Sequence, residues 1–465
     1  MPNVDDFTTR PVVMGKNYAI TSGHYLATLA GTSVVEKGGN AIDASACMAF
    51  CLAVLEPHLN SMGGEVPILL YSKKEERVVA VSGQGYAPKA ATVEKFEELG
   101  IDLIPGDGLL AATVPSVVGT WIKVLEEYGK LRFSDILKPA ISLAEEGFPA
   151  YAGLTSVLES NAGRFLNEWR STAKVFLPNG KVPEEGQLVR QSDLAKVLRA
   201  LSEADKSASS RSDGLCKARD LFYEGWIADR IVDFARNNEF MDASGKRNRG
   251  LIDSDDLAEY EARFEEPLSV DWIDVDVYKC PTWTQGPVFL QMLRILENFD
   301  LKSLGHNTAD YVHLLVETVK LAFSDRERYY GDPDFDDVPI RRLLSKEYGK
   351  QRGELIDMSK ASSEPAFGAA SIGGAANDGD TTHLDAADKE GNVVSATQSG
   401  GWIQSSPIVD GLGFPLGTRM QMFYLDKKRN NCLRPRKRPR TTLTPSIATR
   451  GKRPYLAFGT PGGDT

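Results

Sequence analysis

The chain has 465 residues, 42% of them hydrophobic and 25% charged, a globular balance with length for two or three domains or one large layered one. Its net charge of −10 argues against a nucleic-acid partner, because phosphate binding needs a positive surface. The five cysteines are scattered without a CxxC pair, which points to reduced thiols and away from a disulfide scaffold.

The first residues, MPNVDDFTTRPVVMGKN, carry no basic stretch followed by an apolar one, so no signal peptide is expected and the location is expected to be cytoplasmic. The longest apolar stretch, residues 44–55, follows Gly38-Gly39-Asn40 and is too short for a membrane span. It reads as a buried helix with Cys47 and Cys51 packed inside. Met62-Gly63-Gly64-Glu65 then leads into a strand at Ile68-Leu69-Leu70-Tyr71, with residues 78–82 as its hairpin partner.

Residues 115–146 are helical, with Val117, Trp121, Val124 and Leu125 on one face and a second helix from Phe133 that stops at Gly147. Residues 193–203 and 221–237 are also helical, and 206–214 between them is a polar loop. A long helix spans 309–329, its stripe formed by Val312, Leu315, Val316, Val319 and Phe323, and Gly331-Asp332-Pro333 closes it. The Ser-, Ala- and Gly-rich segment 359–380 has the composition of a mobile surface linker.

Beyond it the pattern shortens to strands at 382–387, 393–397, 420–425, 446–449 and 455–459. Within this stretch RPRKRPR, Arg434 to Arg440, reads as a solvated loop interrupted by prolines. Helices and strands in such blocks point to stacked layers of helix and sheet. There is no HxxxH, Cys/His cluster, dinucleotide glycine fingerprint or P-loop, so no metal and no cofactor is expected.

The chemically informative stretch is Gly379-Asp380-Thr381-Thr382-His383, where linker becomes strand, followed by the turn Asp388-Lys389-Glu390-Gly391-Asn392. Two threonines opening a strand are commonplace by themselves. In a strand Thr381 and His383 share one face and Thr382 takes the other.

The wider constellation resembles the γ-glutamyltranspeptidase family over nearly all of the chain. The resemblance is carried by Gly38-Gly39-Asn40-Ala41-Ile42-Asp43-Ala44, Gly119-Thr120-Trp121 and Lys138-Pro139-Ala140-Ile141 with Glu145-Glu146-Gly147-Phe148. It continues through Asp256-Leu257-Ala258-Glu259-Tyr260 and the run from His313 to Phe335, with Glu317, Lys320, Asp325-Arg326 and Tyr330-Gly331-Asp332-Pro333. Thr444-Pro445-Ser446 and Gly459-Thr460-Pro461-Gly462-Gly463 complete it.

The resemblance implies an α+β fold, a four-layer αββα sandwich of the N-terminal-nucleophile hydrolase type, made as an inactive precursor. It implies self-cleavage of the Asp380–Thr381 bond, dividing the chain into a large segment, 1–380, and a small segment, 381–465, that remain together as a heterodimer, with a higher oligomer open. Family members continue past the paired glycines, so the small segment is expected to be truncated. Thr381 is implied as the nucleophile, Ser399 as the neighbouring hydroxyl, and Gly462 and Gly463 as the oxyanion-hole donors. Thr441 and Thr442 match a Ser-Ser pair that holds the substrate's α-carboxylate.

Other head-group positions differ from the family. Gln84 stands where an arginine is usual, Gly401 where an asparagine is usual, and Arg419 and Met422 where a glutamine and an aspartate hold the α-amine. An arginine fork suits a carboxylate and not a cation. The expected substrate is a small-molecule amide, either γ-glutamyl or another carboxy-acyl amide such as an oxamate-like or dicarboxylic one. An uncleaved, inactive binding protein is the reading from another class. His383 is expected to pack or hydrogen-bond.

Overall fold

The computed structural model describes residues 12–363 and 381–462, so that Asp380, Gly463 and most of the 359–380 segment lie outside the described residues. The strands of its two large sheets are β1 (Tyr18–Ser22), β2 (Ile68–Ser72), β3 (Arg77–Val81), β4 (Phe264–Glu265), β5 (Leu268–Trp272), β6 (Val275–Lys279), β7 (Thr381–Asp388), β8 (Val393–Ser399), β9 (Ser446–Arg450) and β10 (Arg453–Phe458). The six-stranded sheet runs β1-β7-β8-β2-β3-β4 and the four-stranded sheet β10-β9-β6-β5. Neighbouring strands are antiparallel throughout.

Successive side chains of a strand point to opposite faces, and here both faces are covered. Leu69, Tyr71, Val78, Ala80 and Val393 meet Ile447, Cys280 and Trp283 between the sheets. On the far face Ile68, Leu70, Val79, Val81, Leu384 and Val394 pack against helices. Val270, Val277 and Ala448 of the second sheet turn outward onto Leu290 and Leu293 of another helix. The result is four layers, αββα, which is why β2 and β3 are apolar on both sides.

Helix α1 (Ala41–Leu55) is buried along its whole length, as its unbroken apolar sequence requires. Asn40 caps it, accepting from Ile42 N and Asp43 N at 3.0 Å each, while Asp43 returns the bond to Asn40 N. Asp388, the last residue of β7, accepts from Ala41 N at 3.0 Å and ties the β7–β8 hairpin to this helix start. Its other carboxylate oxygen accepts from Glu390 N, Gly391 N and Asn392 N, closing the turn.

Several expectations are corrected. The polar loop expected over 206–214 is confined to 207–210, because one helix runs to Lys206 and Ser210 caps another over Arg211–Tyr223 by accepting from Asp213 N. A second helix, Trp226–Asn237, follows after a break at Glu224 and Gly225. Residues 419–422 form a 3-10 turn where a strand was expected from residue 420.

Helix α2 (Gly286–Leu296) lies against the second sheet, and α3 (Ala309–Tyr329), with the length expected, packs beside it through Ala322. However, the face α3 buries carries Leu314, Glu317, Thr318, Ala322, Asp325, Arg326 and Glu327, while Val312 and Val316 are exposed. Ion-pairing side chains take the inner face there.

The same network overturns the solvated-loop reading of RPRKRPR. Lys437, Arg438 and Arg440 are buried and paired with the acidic segment that follows α3 or ends it. Lys437 meets Asp336 at 2.7 Å, Arg438 meets Asp332 at 2.6 Å and Glu265 at 2.7 Å, and Arg440 meets Glu327 at 2.8 Å. Partners about a hundred residues away in sequence supply the counter-charges that a local reading of the run lacks.

Candidate active site

Strands β7 and β8 are central in the six-stranded sheet, and their register sets the site. Thr381 opens β7 and pairs with Ser399, the last residue of β8. Both are buried, at 4% and 0% exposure, and their hydroxyl oxygens lie 3.3 Å apart. Two residues along the ladder His383 pairs with Thr397, and its Nδ1 is 2.8 Å from Thr397 Oγ1. His383 Nε2 lies 3.1 Å from Asp385 Oδ1. The expected packed, hydrogen-bonding role of His383 is the one it occupies.

Arg419 reaches the same point from the 3-10 turn. Its Nη2 donates to Ser399 Oγ at 3.3 Å, and its Nε donates to Glu65 Oε1 at 2.6 Å, with Nη2 also on that oxygen. Glu65 and Arg419 are 1% and 4% exposed. Burial pushes the Glu65 carboxyl upward from its ordinary range, and the Arg419 charge pulls against that shift. The guanidinium also sits 5.3 Å from the centre of the Trp402 ring.

Glu65 is the residue that sequence reasoning missed. Its signal was present: in Met62-Gly63-Gly64-Glu65 a carboxylate stands just before a strand that is apolar on both faces, so it turns inward and needs a cation. Backbone bonds hold it in place, Glu65 N to Ser399 O at 2.9 Å and Ser399 N to Glu65 O at 3.0 Å.

Gly401 has φ +66°, and a Cβ there would fall 2.0 Å from Ser61 Oγ. A side chain at this position therefore has no room. Gln84 is buried at 1% exposure, donates Nε2 to Gly85 O at 3.2 Å, and lines a polar cavity of about 260 Å³ with Tyr86, Arg436 and Arg438. Thr441 is buried, linked through its backbone to Trp283 and Gln285, and its Oγ1 accepts from Leu443 N at 3.4 Å. Thr442 is half-buried. Met422 ends the 3-10 turn that carries Arg419. Gly462 has φ +132°, a conformation that suits glycine, while Gly463 is outside the described residues. Thus Thr381, Ser399 and Arg419 converge, and Gln84 and Thr441 make local bonds of their own.

A four-layer αββα sandwich with a buried threonine opening a central strand has the fold of the N-terminal-nucleophile hydrolases. The chain belongs to the gamma-glutamyltranspeptidase family, whose family model matches residues 27–465. It is 35% identical over 456 residues to the glutathione hydrolase-like YwrD proenzyme of Bacillus subtilis strain 168, covering 97% of this chain and 80% of that protein. It is similar to the solved structure of LmbA2991HD at 42% identity and TM-score 0.90, covering 99% of this chain and 80% of the other. A cephalosporin acylase from Bacillus halodurans is 30% identical with TM-score 0.84, covering 99% of this chain and 80% of that one. The chain is accordingly a hydrolase or transferase of the gamma-glutamyltranspeptidase type.

Proposed function

We propose that this chain is a precursor that cuts its own Asp380–Thr381 bond and then uses Thr381 as an N-terminal nucleophile on a small-molecule amide. The observation that carries the reading is the Thr381–Ser399 hydroxyl contact of 3.3 Å, buried at the start of a central strand. The B. subtilis relative is named a proenzyme, which agrees with maturation by cleavage.

Cleavage places hydroxyl and α-amine on one residue. The α-amine, which titrates near 7.7–8.0 in model peptides, takes the proton from Thr381 Oγ1 as that oxygen attacks the substrate carbonyl. The C–N bond breaks, and the same proton passes to the leaving amine. Water or a second amine then attacks the acyl-enzyme, with the α-amine again as base. Backbone N–H groups at Gly462 and Gly463 are proposed to hold the oxyanion. The two products of cleavage, 1–380 and 381–465, stay associated, since β7 and β8 are inner strands of a sheet completed by β1, β2, β3 and β4.

For the acyl group, a carboxy-acyl amide without a required α-amine is favoured over a strictly γ-glutamyl one. A Cβ at Gly401 would meet Ser61 Oγ at 2.0 Å, which leaves no room for an asparagine side chain, and the resemblance aligns Arg419 with a residue of the family's ammonium site. Relatives named as a glutathione hydrolase-like protein and as a cephalosporin acylase span both substrate classes. Arg419 is tied to Glu65, so it is not the free carboxylate fork that the sequence suggested.

The test combines a denaturing gel, N-terminal sequencing of the smaller fragment, and turnover of a γ-glutamyl anilide against glutaryl and oxamyl amides. A fragment beginning at Thr381 and turnover lost in Thr381→Ala support the reading. An undivided chain that turns over substrate defeats it, and an undivided inert chain favours a binding protein.

A further inference from the structure

The nucleophile and its hydroxyl partner leave a buried ion pair behind Ser399 without a role. Taking an arginine and a glutamate out of water costs several kcal/mol per ion before their attraction is counted. Here both are nearly inaccessible, and the guanidinium bridges Glu65 Oε1 and Ser399 Oγ.

We infer that Arg419, held in place by Glu65, is a positioning residue that sets the direction of the hydrogen bond between Ser399 and Thr381. The inference rests on the reading of Thr381 as nucleophile. A guanidinium has five N–H donors and no acceptor, so at the 3.3 Å contact Ser399 Oγ accepts. The hydroxyl hydrogen of Ser399 therefore points away from Arg419, and we assign it to Thr381 Oγ1, which lies 3.3 Å away.

Two consequences follow for the reaction. Ser399 donates to the Thr381 oxygen, so the hydrogen of Thr381 itself is left for the α-amine. Negative charge that builds on Thr381 Oγ1 during attack meets an O–H dipole backed by a cation, in a site shielded from water. The proton of Thr381 moves to the amine and on to the leaving group, whereas Ser399, Arg419 and Glu65 keep their protons throughout. Glu65 fixes the guanidinium plane by taking Nε and Nη2 on one oxygen, which a lysine ammonium cannot reproduce.

The experiment is steady-state kinetics on the self-processed chain, using whichever amide it turns over, with Arg419→Met, Arg419→Lys, Ser399→Ala and the double variant Ser399→Ala/Arg419→Met. Arg419→Met is expected to lower kcat by roughly 10–100-fold, below the full range for positioned proton transfer, with KM changed less than about twofold. The acidic limb of its kcat–pH profile moves to higher pH, and Arg419→Lys restores part of the loss. In the Ser399→Ala background, removing Arg419 adds little, because the two act as one unit. If Arg419→Met leaves Glu65 unpaired and the chain fails to fold, Glu65→Gln/Arg419→Met removes both charges and carries the same comparison. Where maturation slows, the rate of fragment release is the second readout.

An unchanged kcat overturns the inference. So does a loss confined to KM, which would make Arg419 a substrate-binding group, or full additivity with Ser399→Ala. Turnover that survives Thr381→Ala would instead overturn the nucleophile assignment, and the positioning role with it.

Discussion

Lys279 Nζ donates to Ser446 Oγ at 2.6 Å, joining adjacent strands β6 and β9 at a place where the lysine is buried. Its remaining bonds go to Thr444 O at 3.1 Å and Thr444 Oγ1 at 3.2 Å, all of them neutral acceptors. Burial lowers the Lys279 amine to about 7.

That shift predicts a pH-dependent stability. The unfolded chain holds the lysine proton up to its ordinary range near 10.4, while the folded chain releases it near 7, so between those values the unfolded state binds more protons. Stability therefore rises with pH across this window, by roughly 2 kcal/mol from pH 7 to pH 9 if the whole shift is expressed. Urea unfolding at the two pH values measures it, and Lys279→Met should flatten the difference. An equal slope in both proteins would assign the effect elsewhere.

Ser399→Ala removes the hydroxyl beside Thr381 without disturbing the β7–β8 ladder, which is a backbone structure. Activity is expected to fall by roughly 10–100-fold with thermal stability nearly unchanged, below the full range for a group that itself transfers a proton, because Ser399 keeps its own. Ser399→Thr keeps the hydroxyl and should retain most of the activity, with a small packing cost at a site of 0% exposure.

Gly401→Asn introduces the residue that the resemblance implies at this position but should not create a head-group contact. Although asparagine tolerates φ +66°, its Cβ would lie 2.0 Å from Ser61 Oγ. The overpacked variant is expected to lose about 1–3 kcal/mol in chemical denaturation. Adding Ser61→Gly should recover part of that loss, and failure to do so would place the strain elsewhere.

Asp332→Asn probes the buried basic run. Arg438 donates Nε to Asp332 Oδ2 at 3.1 Å and Nη2 to Asp332 Oδ1 at 2.6 Å, and its own backbone N–H also binds Asp332. Removing that charge should cost about 3–5 kcal/mol, the range for breaking a buried pair from one side. A melting temperature within a degree or two of the parent would show that Glu265, at 2.7 Å, suffices alone.

The sequence by itself determined the elements that local chemistry dictates. The apolar run of α1, the β2–β3 hairpin, and the turn at Asp388 to Asn392 were legible because each is built by residues within a few positions of one another. The pairing of Thr381 with Ser399 was not legible from spacing: the resemblance implied the neighbouring hydroxyl, and the β7–β8 register sets the two residues opposite each other. The resemblance supplied the proposed nucleophile, Thr381, which spacing alone does not single out.

Only the tertiary structure decided which charges lie inside. Glu65 and Arg419 are separated by more than three hundred residues, as Lys437 and Asp336 are by about a hundred, and nothing local marks them as partners. Val312 and Val316 of the stripe expected on the 309–329 helix face outward for the same reason: the helix's own Asp325, Arg326 and Glu327 turn inward, where Glu327 meets the distant Arg440. A charge is stable in the interior only when its counter-charge is brought to it, and that meeting is a property of the fold, not of the sequence neighbourhood.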